Sequence, residues 1–255
     1  MVMHPGTNVG SYVEGRRDLK RFTIAGNSPL TPGKWRDSFK FSMLGLASFL
    51  GGRRWGPAHD DWLRRWLPLL HQSVGDRVTV ELGCGNGADL AMLAAEGLRV
   101  IGLDRSPTAI AEAGKKISPQ LLYCQDLCDR FPPAAQGAGA VIASLSLHYF
   151  SVDQTNDVML RIRECLAPGG IFLCRVNSTQ DTHFGAGGHR PLAENQYLVH
   201  GQLKRFFDEA AARSLCGEGW EVLSVEEKTI QRYALPKAVW EIVARRTGSV
   251  SVLDG

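Results

Sequence analysis

A chain of 255 residues is long enough for one sizeable α/β domain and an appendage. Its composition, 44% hydrophobic and 22% charged, is that of an ordinary soluble protein with no internal repeat or low-complexity tract. Twenty-nine basic residues against 26 acidic ones leave a net charge of +3, and basic runs stop at pairs such as Arg16-Arg17 and Arg53-Arg54, so no nucleic-acid partner is expected.

Met1 to Gly10 is polar and carries no secretory signal. The most apolar early window, Phe39 to Leu50, is about a dozen residues, too short for a bilayer of about 30 Å. No membrane association is expected. The six cysteines, at 84, 124, 128, 165, 174 and 216, form no CxxC pair. They read as reduced thiols of a cytoplasmic protein with no metal site.

Residues 1 to about 36 are irregular, and the pattern predicts a helix over 37–50. A second helix is predicted over 57–70, with Asp60 and Asp61 in its first turn and Trp62 and Trp66 on its apolar side. The tryptophans either anchor this helix to the domain or cover a ligand. From Val78 the pattern alternates strand and helix. Strands are predicted at 78–82, 98–103, 121–124, 139–147 and 171–176, and helices at 88–95, 107–116 and from Asp153, taken as its cap, to Leu166. Pro168-Gly-Gly170 reads as a turn. Asn177 to Gly201 reads as a long polar loop, followed by a helix around Leu203, Phe206, Phe207 and Leu215, with the two phenylalanines packing it. Trp220–Glu226 and Ala238–Ala244 read as a final pair of strands. The fold class is α/β: a doubly wound, Rossmann-like, seven-stranded sheet, mostly parallel with the last strand antiparallel, preceded by an N-terminal helical extension. Two parts are expected: an arm and helical extension over 1–60, and the Rossmann-like domain over 61–255.

In such sheets ligands lie beyond the carboxyl ends of the strands, where strand order reverses. The polar residues fall there: Glu81, Gly83, Gly85 and Asn86; Asp104 and Arg105; Gln125 and Asp126; Ser144, Ser146, His148 and Tyr149; Arg175, Asn177 and Ser178. The turn carrying Gly83, Gly85 and Gly87 ends a strand and opens a helix, an arrangement that brings bare backbone N–H groups to a ligand. Asp104, at the next strand end, suits the hydroxyls of a ribose. Gly83-x-Gly85-x-x-Ala88 also satisfies the loose dinucleotide fingerprint. Glu81 decides between the two cofactors, because a carboxylate facing the turn repels a pyrophosphate and attracts a cationic ammonium or sulfonium.

The stretch Val80-Glu-Leu-Gly-Cys-Gly-Asn-Gly87, with Asp104 beyond it, resembles the class I S-adenosylmethionine-dependent methyltransferases over roughly 61–246. Cys124-Gln-Asp-Leu127, Ala143-Ser-Leu-Ser-Leu-His-Tyr149 and Leu166-Ala-Pro-Gly-Gly170 add to the resemblance. It implies that Glu81 and the turn Gly83, Cys84, Gly85, Asn86 and Gly87 face the methionine part of S-adenosyl-L-methionine. Asp104 would face the ribose, Gln125 with Asp126 the adenine, and the segment from Ser144 and Leu145 to His148 the underside of the donor, with Arg105 and Leu127 as further cofactor-binding candidates. His148 is the candidate general base because an imidazole titrates near neutrality, with Tyr149 a weaker one. Arg175 and Asn177 could orient the acceptor or tie down the loop, and His183, His189 and Tyr197 lie where acceptor recognition is expected. Tyr12, Phe39, Phe41 and Trp55 could close the pocket as a lid. The leading reading is methyl transfer to an O, N or S atom of a small molecule. The alternatives are a non-catalytic cofactor-binding protein and a nicotinamide-dependent dehydrogenase. Oligomeric state is not legible.

Overall fold

The computed structural model describes residues 60–248. The helix expected over 37–50, the first residues of the one over 57–70, and the lid residues Tyr12, Phe39, Phe41 and Trp55 lie outside the described residues.

Seven strands form one sheet: β1 Val78–Leu82, β2 Arg99–Asp104, β3 Leu122–Cys124, β4 Ala138–Ser144, β5 Leu166–Asn177, β9 Trp220–Ile230 and β10 Lys237–Arg246. Their spatial order is β3-β2-β1-β4-β5-β10-β9. The first five strands pair in parallel, and β10 runs antiparallel to both β5 and β9. The reversed strand is therefore inside the sheet, and β9 forms the edge. After β3 the chain crosses to β4, on the other side of β1, so strand order reverses between β1 and β4.

Helices cover both faces, and strand alternation decides what each face buries. On one side α1 (Leu67–Val74) and α2 (Ala88–Ala95) bury Leu70, Val74, Leu90 and Leu93 against Val100, Ala140, Ile142 and Leu173. On the other, α4 (Val152–Cys165) and α5 (Glu209–Ser214) bury Val158, Met159, Ile162 and Ala212 against Val80, Val141, Phe172 and Cys174. The helix between them in sequence, α3 (Pro107–Ala113), starts as expected, with Pro107 in the first turn and the Ser106 hydroxyl accepting from the Ala109 N–H.

The expected second helix is broken. Arg64–Trp66 form a 3-10 turn, and the α-helix begins only at Leu67, with Pro68 in its first turn, where a missing N–H costs nothing. Both tryptophans anchor. Trp62 is 8% exposed and donates Nε1–H to Asp89 Oδ2 at 3.1 Å. Trp66 donates to the buried Glu241 on β10 at 2.8 Å, and Arg65 pairs with the same carboxylate. The cap of α4 is Ser151, not Asp153: its hydroxyl accepts from Gln154 N–H while the Gln154 side chain accepts from Ser151 N–H. Pro168-Gly-Gly170 is a looped-out irregularity within β5, since Ala138 pairs with Leu166 and Ala140 with Ile171.

The largest departures lie between β5 and β9. The expected polar loop contains β6 (Arg190–Ala193) and β7 (Gln196–Val199), and the expected helix at Leu203 is a strand, β8 (Gln202–Arg205). These three form a small antiparallel sheet. Asn195 at φ 52° and His200-Gly201 at φ 50° and 78° make the tight turns that allow it. Phe206 and Phe207 follow β8, fully buried, and α5 starts after Asp208, whose carboxylate accepts from Ala211 N–H at 2.8 Å.

Gly139 lies on β4 where the end of α1 crosses it, and a Cβ there would stand 2.6 Å from Val74 Cα. Gly139→Ala is expected to cost about 1–3 kcal/mol by overpacking against backbone. Gly217→Ala, where a Cβ meets nothing within 4 Å, should stay within about 0.5 kcal/mol. Urea unfolding of both variants checks this, and equal midpoints would contradict the close docking of α1.

Candidate functional site

The carboxyl ends of β1 and β4 meet at the switch point, and glycine makes the meeting possible. Gly83 has φ 75°, and a Cβ on it would lie 2.6 Å from Ser146 Cβ in the segment that leaves β4. Gly85 has φ 54° and faces open space, with nothing within 4 Å of a built Cβ. Gly87 caps α2 in a left-handed conformation.

The turn's N–H groups are not bare. Gly83 and Cys84 both donate to Leu103 O, at 2.7 and 3.0 Å, and Gly87 donates to Cys84 O at 2.9 Å. Gly85 N–H donates to Asp104 Oδ2 at 2.9 Å, while Ser106 N–H donates to Asp104 Oδ1 at 2.8 Å. The expectation of an N–H cradle is corrected: the turn spends its donors on β2 and on its own closure. A pyrophosphate would find few free donors there. Each Asp104 oxygen accepts one bond and keeps a lone pair for a hydroxyl.

Glu81 is an unsatisfied acidic side chain at the switch point. It is 3% exposed, and its Oε2 has no hydrogen-bond partner. Burial, foremost, and then the charges of Asp89 and Asp104 hold its carboxyl well above the usual range, against the opposing pull of Arg232 and Arg175. Such a group gains most from an incoming cation that is also a hydrogen-bond donor.

Asn86 after β1 and Arg105 after β2 are exposed, and Gln125 and Asp126 after β3 are half-buried. The Gln125 side chain donates to Arg130 O at 3.2 Å, and Asp126 Oδ1 accepts from Cys128 N–H at 2.9 Å. Cys84 and Leu127 belong to the two hydrophobic cores. At the end of β4, Ser144 accepts from Arg175 at 3.1 and 2.8 Å, and Leu145 adopts φ 58° with its N–H on Arg175 O at 2.8 Å. A non-glycine residue held in that region is locally strained.

Arg175 is fully buried, paired with Asp60 at 2.6 Å and stacked 4.3 Å over Trp62. It fastens the chain at Asp60–Trp62 to the ends of β4 and β5. Asn177 is also fully buried, with both side-chain polar atoms lacking partners. His183 is exposed, His189 meets His200 edge-on at 6.0 Å, and Tyr197 lies 5.9 Å from Phe206. The structure thus draws together the residues after β1, β2, β4 and β5, and leaves these last three on the small-sheet excursion.

His148 sits on a 3-10 turn, Leu147–Tyr149, 3% exposed with Nδ1 unpartnered. Its expected neutral pKa is corrected: burial first, then Lys237 and Lys204, push it well below 6.5. Its ring lies 4.2 Å from that of Tyr149, which is exposed. Neither Lys204 nor Lys237 stands out in sequence, nor do Asp181, Arg232 and Tyr233. Lys204 was hidden in a stretch read as helix, and Arg232 and Tyr233 ride the β9–β10 loop. Among the described residues no three His, Cys, Asp or Glu side chains gather as a metal ion would need. All six cysteines are free.

A buried carboxyl with a raised pKa lowers stability as pH climbs through its unfolded value, because the folded state resists ionisation. Glu81→Gln is therefore expected to stabilise the free protein at neutral pH by about 1–3 kcal/mol, the scale of a relieved buried polar group. Thermal melts across pH check this, and a destabilised variant would mean Glu81 has a partner already.

Residues 79–170 match the family model of a methyltransferase domain. A Synechocystis protein described as an uncharacterised methyltransferase is 36% identical over 108 residues, covering 42% of this chain and 50% of its own length. A trans-aconitate 2-methyltransferase from Acidovorax is 32% identical over 140 residues, 53% of this chain and 51% of that protein. The chain spans about half the length of these curated relatives. In fold it is similar to a 1,6-didemethyltoxoflavin-N1-methyltransferase of Burkholderia thailandensis, solved with 1,6-didemethyltoxoflavin and S-adenosylhomocysteine. The TM-score is 0.56 at 19% identity, over 88% of this chain and 94% of that one. Residues 79–170 thus match a methyltransferase domain, and the seven-stranded fold is similar to that of a solved methyltransferase with S-adenosylhomocysteine bound.

Proposed function

We propose that this protein transfers a methyl group from S-adenosyl-L-methionine to an O, N or S atom of a small-molecule acceptor. The observation that carries the reading is the buried Glu81 carboxyl, one oxygen unpartnered, beside a turn with most of its N–H groups already committed. That pairing suits a phosphate-free cofactor bearing an ammonium and disfavours a dinucleotide. When bound, the cofactor supplies an electrophilic methyl group on a sulfonium.

The roles proposed for the chain follow from position. Glu81 holds the ammonium and Asp104 the ribose hydroxyls, while Gln125 and Asp126 flank the base. Gly85 leaves room where a side chain would intrude. Ser144 and Leu145, fixed by Arg175, shape the floor. Much of the rate then comes from alignment and exclusion of water rather than from acid–base work. His148 is placed toward the acceptor in its free-base form, able to take a proton from an acceptor that carries one. One curated relative is named for a small-molecule acceptor, trans-aconitate, which supports an acceptor of that size. Among the described residues no helix is long and apolar enough to cross a membrane.

Saturating S-adenosylhomocysteine, at about 100 times its Kd, is expected to stabilise the protein by about 2.7 kcal/mol, and NAD to leave the melting curve unmoved. Binding should also release protons, because Glu81 must ionise to meet the ammonium. Affinity should therefore rise with pH and lose that dependence in Glu81→Gln, as read by calorimetry in buffers of different ionisation enthalpy. Since burial and two lysines keep His148 neutral above pH 6.5, turnover at saturating cofactor should be level from about pH 6.5 to about pH 8. Stabilisation by NAD alone would overturn the reading.

A further inference from the structure

The acceptor side of the cleft carries a charge imbalance. Lys237, the first residue of β10 and 5% exposed, donates to Asp181 Oδ2 at 2.6 Å and lies 4.8 Å over the Phe184 ring. Asp181 is 1% exposed and leaves Oδ1 unpartnered. Lys204 on β8, which packs against the Leu147–Tyr149 turn, is half-buried and within electrostatic reach of both Lys237 and Asp181. Among the described residues no carboxylate pairs with it at ion-pair distance. Both lysines act on His148, whose Nδ1 is buried and without a partner. Two ammonium groups thus face one carboxylate, which leaves one positive charge uncompensated in a partly dehydrated site. Such a site favours a ligand carrying one negative charge. Tyr233, on the β9–β10 loop, stands 5.3 Å from the Phe184 ring.

We propose that Lys204 and the free ring nitrogen of His148 bind a carboxylate of the acceptor, and that this carboxylate is the group methylated. The inference rests on the methyl-transfer reading above. It also accounts for an imidazole that is a poor base. A carboxylate oxygen is already deprotonated, so its lone pair forms the new O–C bond while the S–C bond breaks and leaves its electron pair on sulfur. The product is a methyl ester, and no proton has to be removed. A dianionic phosphate would need a second free cation, and a neutral amine or thiol would leave Lys204 uncompensated.

The test uses the full chain, methyl-labelled S-adenosylmethionine and a small-molecule extract, half of it with its carboxylic acids chemically converted to amides. The expected label is a methyl ester, recovered as volatile methanol after mild alkali, and found only with the untreated half. Lys204→Met should raise the half-saturating extract concentration about tenfold or more, with Lys204→Arg recovering most of it. Both variants should keep the affinity for S-adenosylhomocysteine. Alkali-stable label, equal labelling of the amide-converted half, no label despite cofactor binding, or an unaffected Lys204→Met would each overturn the carboxylate proposal. Failure of the unaltered protein to bind S-adenosylhomocysteine would instead sink the methyl-transfer reading itself.

Discussion

A carboxyl group buried at the switch point, with one oxygen unpartnered, is the constraint around which this molecule is arranged. Folding alone gives Glu81 nothing back for the water it loses. Its neighbours Asp89 and Asp104 make ionisation harder, while Arg232 and Arg175 oppose them from farther along the cleft. An unsatisfied buried group of this kind is rare in folded proteins and calls for a reason. A cationic ligand supplies one. The glycine turn agrees with it, since its N–H groups close the turn onto Leu103 and Asp104 and leave little for an anion.

The two ends of the cleft then differ in charge. Toward β1 and β2 lie Glu81 and Asp104; toward β8 and β10 lie Lys204 and Lys237 with one counter-charge, Asp181. Arg175 stands between them, fully buried and fixed by Asp60, Ser144 and Trp62. A polarity of this kind would orient a cationic donor and an anionic acceptor toward one another without any residue moving a proton. The site on this view works by placement. His148, held in its neutral form by burial and two lysines, fits such a site better than it fits a proton relay.

The strand, glycine turn and helix over Val78–Ala95 were legible in sequence because their determinants are local. Val78–Leu82, the glycine turn and Ala88–Ala95 lie in one continuous stretch, and the structure returns those two elements at the expected residues. Alternating apolar runs likewise disclosed the parallel sheet and its reversed final strand. The side of the cleft toward β5 and β10 depends on pairings distant in sequence, such as Lys237 with Asp181 and Arg175 with Asp60. β6, β7 and β8 are four residues each and partly exposed on both faces, so they show no two-residue alternation to betray them. His200-Gly201 and Asn195 were the available signals of hairpins, and they passed as ordinary loop residues. Reading Leu203 to Leu215 as one helix then concealed Lys204. Ser151 was overlooked as a cap because Asp153, two residues on, is an equally good capping type.

The central claim is that Glu81 awaits a positive charge. A crystal structure of the complex with S-adenosylhomocysteine tests it most directly. The ligand's ammonium nitrogen is expected within about 3 Å of a Glu81 carboxylate oxygen, with both ribose hydroxyls on Asp104. An ammonium bound elsewhere, with Glu81 still lacking a partner, would contradict it.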